Sequence, residues 1–367
     1  MKRLLLASAV SALFAAPATA LAQAKPPAAP TLDKVLEASG ISVSGYIDAG
    51  YTHADRNLEA GGFSTRVFDS LNNSFVLRQF GLTIAKQPKE GFGGLVNVTA
   101  GRDAQLINSF GATTSQFDLT QAYAQYAGGP VTVIAGKYAT MHGTEVIAST
   151  GNANISRSIL FGAVPFTHTG VRGTWAINEQ YSLMVGVNNG WDQLTDANKA
   201  KTFEVGGTLN PIKPLTITVS GMNGKEPTSA TTDGTRTSFN VVASWTIIDP
   251  LSVGLEVLNV SQENAGGGTT TQKYNGFAGY GSYLFTPKLR GAVRVERFDD
   301  KDGFKFSTTT GTKYAEATVT GAYLAADNFE LRAEARRDQA NSAVFVDSQG
   351  ATSKTLMTIA LQGLYKF

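Results

Sequence analysis

The side chains that could act on a solute fall into two groups in this chain. The first is catalytic or metal-binding in type. Its histidines are His53, His142 and His168. No two of them have the spacing of metal ligands. A hydrolase needs a base within reach of a nucleophile. His168 between Thr167 and Thr169 supplies too little for that. The segment "FDDKDG" (298–303) has the look of a calcium loop, but Phe298 stands where the first acidic ligand would be. It reads as a surface loop. No glycine-rich phosphate loop opens a helix. The expectation is no enzyme, no metal and no cofactor.

The second group is electrostatic. Arg290, Arg294 and Glu296 fall on alternate positions of one segment, and Glu330, Arg332, Glu334 and Arg336 on those of another. In an extended chain that spacing places each set on one face. His142, Glu145, Arg157, His168 and Arg172 lie between 140 and 172. Charges of both signs on facing walls would set up a transverse field, which orients dipolar solutes and selects ions. The bland alternative is that they pair with one another.

The elements that must position these charges repeat with period two from residue 41 onward. Strands are expected near 41–54, 74–86, 92–102, 118–127, 131–139, 166–177, 181–189 and 202–210. The series continues near 215–223, 236–248, 251–262, 273–285, 288–298, 312–325, 328–339 and 354–367. That is sixteen, and hardly any segment has helical spacing. Alternate connections are very short and rich in Pro, Gly and Asn, such as "GGP", "DP" and "TP". Between them lie long polar loops: 55–73, 103–117, 140–165, 190–201, 224–235, 263–272, 299–311 and 340–353. An antiparallel meander would gather all turns at one end and all loops at the other, with both termini at the turn end.

Two surroundings could produce such alternation. In a soluble secreted sandwich the apolar face packs on a second sheet. In a membrane barrel it meets lipid while the polar face lines the lumen. The barrel is favoured on three grounds. Apolar faces are rich in small residues (Gly279, Gly281, Ala315, Ala317, Ala333, Ala335), which lipid can fill around but a close-packed core cannot. Aromatic residues sit at strand ends (Tyr181, Phe203, Phe285, Tyr323, Phe329). The chain ends on the apolar series Met357, Ile359, Leu361, Gly363, Tyr365, Phe367. Tyr365 and a terminal Phe367 resemble the signature that bacterial barrel-assembly machinery reads. The expected fold is therefore all-β: a transmembrane antiparallel barrel of sixteen strands, with short periplasmic turns and long extracellular loops. Sixteen strands leave an aqueous channel too wide for wall side chains to fill.

The compartment follows from the start of the chain. Lys2 and Arg3, an apolar run to Ala16, and small-x-small sites ending at Ala22 and Ala24 form a secretory signal over 1–24. Residues 25–40 read as a proline-rich periplasmic leader with a short helix after Thr31, and 41–367 as the barrel. There is no cysteine, so no disulfide supports the exported chain. Lys+Arg number 31 and Asp+Glu 29. Without Lys2 and Arg3 the balance is 29 to 29, which suggests no nucleic-acid partner.

The connection after the fifth strand is the longest. In sixteen-stranded porins that loop folds inward and narrows the channel, which makes 140–165 the candidate constriction. His142, Glu145 and Arg157 would sit on the loop. His168 and Arg172 would point inward from the next strand. Arg290, Arg294, Glu296, Glu330, Arg332, Glu334 and Arg336 would supply facing walls. The blocks "AGKYATMHGTEVI", "SRSILFG", "VPFTHTGVR" and "VGVNNGWD" resemble the OmpL-like β-barrel outer-membrane porins of Gram-negative bacteria. The resemblance covers most of the chain beyond the leader. It implies a channel for passive diffusion of small hydrophilic solutes, surrounded by outer-membrane lipid and lipopolysaccharide. Assembly as a homotrimer enters by analogy only. Two alternatives stay open: a solute-selective channel for sugars or organic anions, and a non-conducting structural or adhesive barrel blocked by loop 140–165 and the leader.

Overall fold

The computed structural model describes residues 31–56, 65–113, 115–308 and 310–367. The expected signal peptide and the prolines of the leader lie outside the described residues. The chain divides into two units, 1–39 and 40–367. In the first, helix α1 (Leu32–Ser39) follows Thr31, whose carbonyl accepts the Val35 amide at 3.2 Å. Ser39 Oγ donates back to the Leu36 carbonyl at 2.7 Å, satisfying one of the end carbonyls a helix leaves open.

The second unit is built of strands. They are β1 (Ser42–Ala54), β2 (Ser74–Lys86), β3 (Gly91–Ala100), β4 (Phe117–Gly128), β5 (Val131–Ala139), β6 (Thr167–Ala176), β7 (Tyr181–Asn188) and β8 (Thr202–Ile212). Then come β9 (Leu215–Pro227), β10 (Asp233–Ile248), β11 (Leu251–Gln262), β12 (Gln272–Thr286), β13 (Leu289–Asp300), β14 (Thr312–Ala326) and β15 (Phe329–Ala340). A small hairpin, β16 (Phe345–Val346) with β17 (Thr352–Ser353), precedes the last strand β18 (Thr355–Lys366). All except β16 and β17 close into one antiparallel barrel in which each strand pairs with its sequence neighbours. β18 pairs with β1 from Tyr46↔Lys366 to Ala54↔Thr358. Closure leaves no strand edge, and an edge in lipid would cost several kcal/mol for each unpaired group.

The sixteen expected strands are present. The largest shift of an end is at the β9–β10 loop, where pairing continues to Asp233↔Pro227 and shortens the expected loop 224–235. Register follows the alternation. On β15, Glu330, Arg332, Glu334, Arg336 and Asp338 are buried inside while Leu331, Ala333 and Ala335 are exposed outside. A one-residue slip would turn that charged set to lipid at roughly 2–4 kcal/mol for each arginine near mid-depth. Tyr365 and Phe367 face outward, with the Phe367 ring stacked 6.3 Å from Phe80. The Phe367 ring also lies where a Cβ on Gly45 would be, so a side chain at Gly45 would displace the chain terminus.

Two expectations needed revision. The loops are not without helix: α2 (Ala104–Ile107) and α3 (Ile159–Ala163) both fold inward and are largely buried. The lumen is also less empty than strand number alone implies. Above the charged belt, the inward series turns apolar at Leu258, Val260, Tyr274, Phe298, Tyr314, Ala340 and Leu356. Ile159, Leu160, Ala163 and Val164 of loop 140–165 pack on these, with Phe345 from the last loop. Loops thus fill part of the outer lumen that wall side chains could not.

Candidate functional site

Loop 140–165 leaves β5 and crosses the lumen, anchored at each point by wall side chains. At its start the His142 ring bridges two hydroxyls, Nδ1 to Ser220 Oγ and Nε2 to Ser238 Oγ, both at 2.8 Å. Burial, then the His168 and Arg172 charges, push His142 down to about 3, so the ring is neutral. A neutral imidazole donates with one nitrogen and accepts with the other, and two serines can match either tautomer. The next amides reach β10 and β11: Gly143 N donates to Asn240 Oδ1 at 3.0 Å and Thr144 N to Glu256 Oε2 at 2.9 Å.

The far wall holds the loop by its backbone. Glu334 accepts Ile155 N at 2.6 Å and Ser156 N at 2.9 Å. Glu296 accepts Ile159 N at 2.8 Å and Leu160 N at 2.7 Å, the first amides of α3. Ser158 Oγ accepts Phe161 N at 2.9 Å and completes the cap. The arginines take the carbonyls. Arg294 donates to Ser156 O at 2.8 Å, Arg332 to Asn152 O at 3.0 Å and Arg336 to Arg157 O at 2.5 Å. Hydrogen bonds to charged groups are each worth roughly 1.5–3 kcal/mol. This set fixes the loop more firmly than its own turns could.

The wall charges also pair among themselves. Arg294 lies 2.8 Å from Glu145 of the loop and 3.0 Å from Glu316. Arg332 pairs with Glu330 at 2.7 Å, Arg290 with Glu330 at 3.0 Å, and Arg336 with Asp338 at 2.6 Å. On β6, Arg172 takes Glu204 with two nitrogens at 3.0 and 2.8 Å and lies over the Tyr138 ring at 4.3 Å. His168 is fully buried beside Gly190 O and Thr140 Oγ1. Glu145 and Arg157, the two charges expected on the loop, do not pair with each other. Arg157 turns back on the loop, donating to the carbonyls of Val146, Ile147 and Ile155, and its guanidinium lies 5.3 Å from the Phe68 ring centre. On the near wall, Ser149 Oγ donates to Asp48 at 2.5 Å and Gln79 donates to Asp103 at 2.9 Å. Burial, then Asp48, push the Asp103 carboxyl up to about 7.

Two spaces border the loop. One, of about 260 Å³, lies against β2–β5 and is lined by hydroxyls and amides (Thr83, Asn97, Thr99, Thr120, Gln121) opposite the apolar edge of the loop. The other, of about 440 Å³, opens below the loop toward Lys213 and Pro214, with Asn152, Asn154, Ser244 and Ser252 on its walls. Glu145 borders both. The apolar inward residues of the outer lumen were absent from the expected site. Their signal was available: the inward series changes from Glu256 to Leu258, from Glu296 to Phe298 and from Asp338 to Ala340.

The family described as "Putative beta-barrel porin-2, OmpL-like" matches residues 40–365. No curated protein matches. Among solved structures, the outer membrane channel DcaP of Acinetobacter baumannii is similar over 89% of this chain and 97% of its own, with 15% identity and a TM-score of 0.64. An anion-selective porin from Comamonas acidovorans covers 89% and 99% at 10% identity and TM-score 0.62. The in-vitro folded trimer form of Vibrio cholerae OmpT covers 89% and 99% at 11% identity and TM-score 0.61.

Proposed function

The chain belongs to the OmpL-like beta-barrel porin-2 family of the outer membrane, and on that premise we propose a narrow channel for passive diffusion of small, neutral, hydrophilic solutes. It performs no chemistry and uses no cofactor. The observation that carries this is the neutralisation of the constriction. Arg172, Arg294 and Arg336 each face a carboxylate of their own, and Arg290 and Arg332 share Glu330, all at 3.0 Å or closer; Glu316 adds a second carboxylate beside Arg294. The β2–β5 side of the remaining space presents hydroxyls and amides. The transverse field is correspondingly weak, so ion preference is small and organic anions gain little over sugars. Solute passes along β2–β5, then beside Glu145 into the space below the loop. Liposomes containing the protein should swell at similar rates in a neutral sugar and in its singly charged relatives. A strong preference for one charge would refute the proposal.

Residues 1–24 act as the cleaved export signal and 25–40 as a periplasmic leader. The barrel assembles as a homotrimer, as OmpT of Vibrio cholerae does in its trimer form. The wall supports this: β5, β6 and β7 have only 9, 10 and 8 residues, against 16, 15 and 15 in β10, β12 and β14. A spanning strand needs roughly 9–11, so β5 and β6 just suffice and β7 falls short. The low wall is sheltered by neighbouring subunits. A second reading, a barrel that does not conduct, is favoured by the apolar packing in the outer lumen. Absence of conductance from a correctly folded barrel would select it.

A further inference from the structure

The outer wall carries two arginines that nothing in the channel uses. Arg297 on β13 and Arg337 on β15 face outward and are exposed. Neither forms a hydrogen bond or ion pair with another described residue. Arg297 sits three residues from the loop end of β13, and Arg337 three from the loop end of β15. Both are thus at the extracellular rim. Arg297 is opposite Phe277 and Ala315, and Arg337 is opposite Ala317 and Met357. Level with the two arginines, the strand between them presents Ala315 and Ala317 outward, a low floor.

Their spacing follows from sheet geometry. They are two strands apart and offset by two residues. At roughly 4.8 Å per strand and 3.4 Å per residue, the Cα atoms are about 12 Å apart. Below them the wall is apolar: Val293, Val295, Val319, Ala333 and Ala335. Nearby Lys313 already leans toward Asp299 at 3.9 Å, so the arginines are the uncompensated charges. An arginine facing lipid is costly at mid-depth but nearly free at the interface. Guanidinium binds phosphate with two parallel hydrogen bonds.

We propose that the β13–β15 rim binds the diphosphorylated disaccharide headgroup of one lipopolysaccharide molecule. Each arginine takes one phosphate, the sugars lie over Ala315 and Ala317, and acyl chains descend the apolar wall. Two separated cations at the span of a disaccharide, on the outer-leaflet rim, fit this headgroup better than a glycerophospholipid with one phosphate.

The test uses the full barrel refolded in detergent, titrated with diphosphoryl lipid A, monophosphoryl lipid A or phosphatidylglycerol and read by native mass spectrometry. One diphosphoryl lipid A should bind per barrel and persist in EDTA, because the contacts are direct. Arg297→Gln and Arg337→Gln should each weaken binding roughly tenfold, as should loss of one phosphate. Lys225→Gln, removing an exposed rim lysine of β9, should not. Conductance of the double arginine variant should equal that of the parent, which separates this proposal from the channel reading. Unchanged lipid A binding by the double variant, equal competition by phosphatidylglycerol, or loss of binding in EDTA would each overturn it.

Discussion

Arg294→Met removes the cation at the centre of the loop's anchorage. The Arg294 side chain is fully buried, lies between Glu145 and Glu316, and also donates to the carbonyl and hydroxyl of Ser156. Breaking a buried pair by deleting one partner costs about 3–5 kcal/mol, because the other charge stays behind. Relief is partial here. Glu316 keeps Arg336 at 3.7 Å, and Glu145 keeps the Ser158 amide at 2.7 Å. The lower end, about 3 kcal/mol, is the expected shift of the docked loop toward an undocked one, roughly a hundredfold in population. Single-channel recording in a planar bilayer should show frequent excursions to a larger conductance level. Adding Glu145→Gln and Glu316→Gln should quiet them, since the stranded charges are gone. A variant with the parent's steady level would refute the claim that this charge cluster fixes the constriction.

Further outcomes follow from the same geometry. Leu331→Arg places a charge on the lipid face and should impair assembly, whereas Arg332→Leu should assemble yet loosen the loop at Asn152; heat-modifiable gel migration distinguishes them. Asp103, held up to about 7 by burial, keeps a proton that the unfolded chain releases near pH 4. Stability therefore falls as pH rises from about 4 to 7 and stays lowered above that. Asp103→Asn should leave the melting temperature unchanged at pH 4 and raise it by a few degrees at pH 8; an equal shift at both would contradict this. Deleting Phe367 uncovers Gly45 and Phe80 and should slow insertion without changing the conductance of barrels that do form.

The barrel could be read from the sequence because lipid and lumen impose opposite demands on alternate residues. "NFELRAEARRDQ" shows that opposition without help from any tertiary contact, and the turn signals mark the strand ends. The site was legible only in kind. Alternation tells that Arg294 and Glu296 face inward, but not that Glu296 would clasp the amides of Ile159 and Leu160. That contact joins residues more than a hundred positions apart, through a loop with no period of its own. Arg157 illustrates the limit: its type suggested a pore-facing charge, yet the loop's carbonyls bind it first. Arg337 follows from the same alternation: two arginines in succession on a strand must face opposite sides, so with Arg336 inside Arg337 faces out.

The decisive observation is the reversal potential of single channels of the unmodified protein under a salt gradient. The paired constriction predicts discrete, ohmic, small steps with a reversal potential near zero. A reversal potential close to that of an ideally anion- or cation-selective pore would contradict the account, because it would require a dominant uncompensated charge where the structure sets Arg172, Arg290, Arg294, Arg332 and Arg336 against carboxylates.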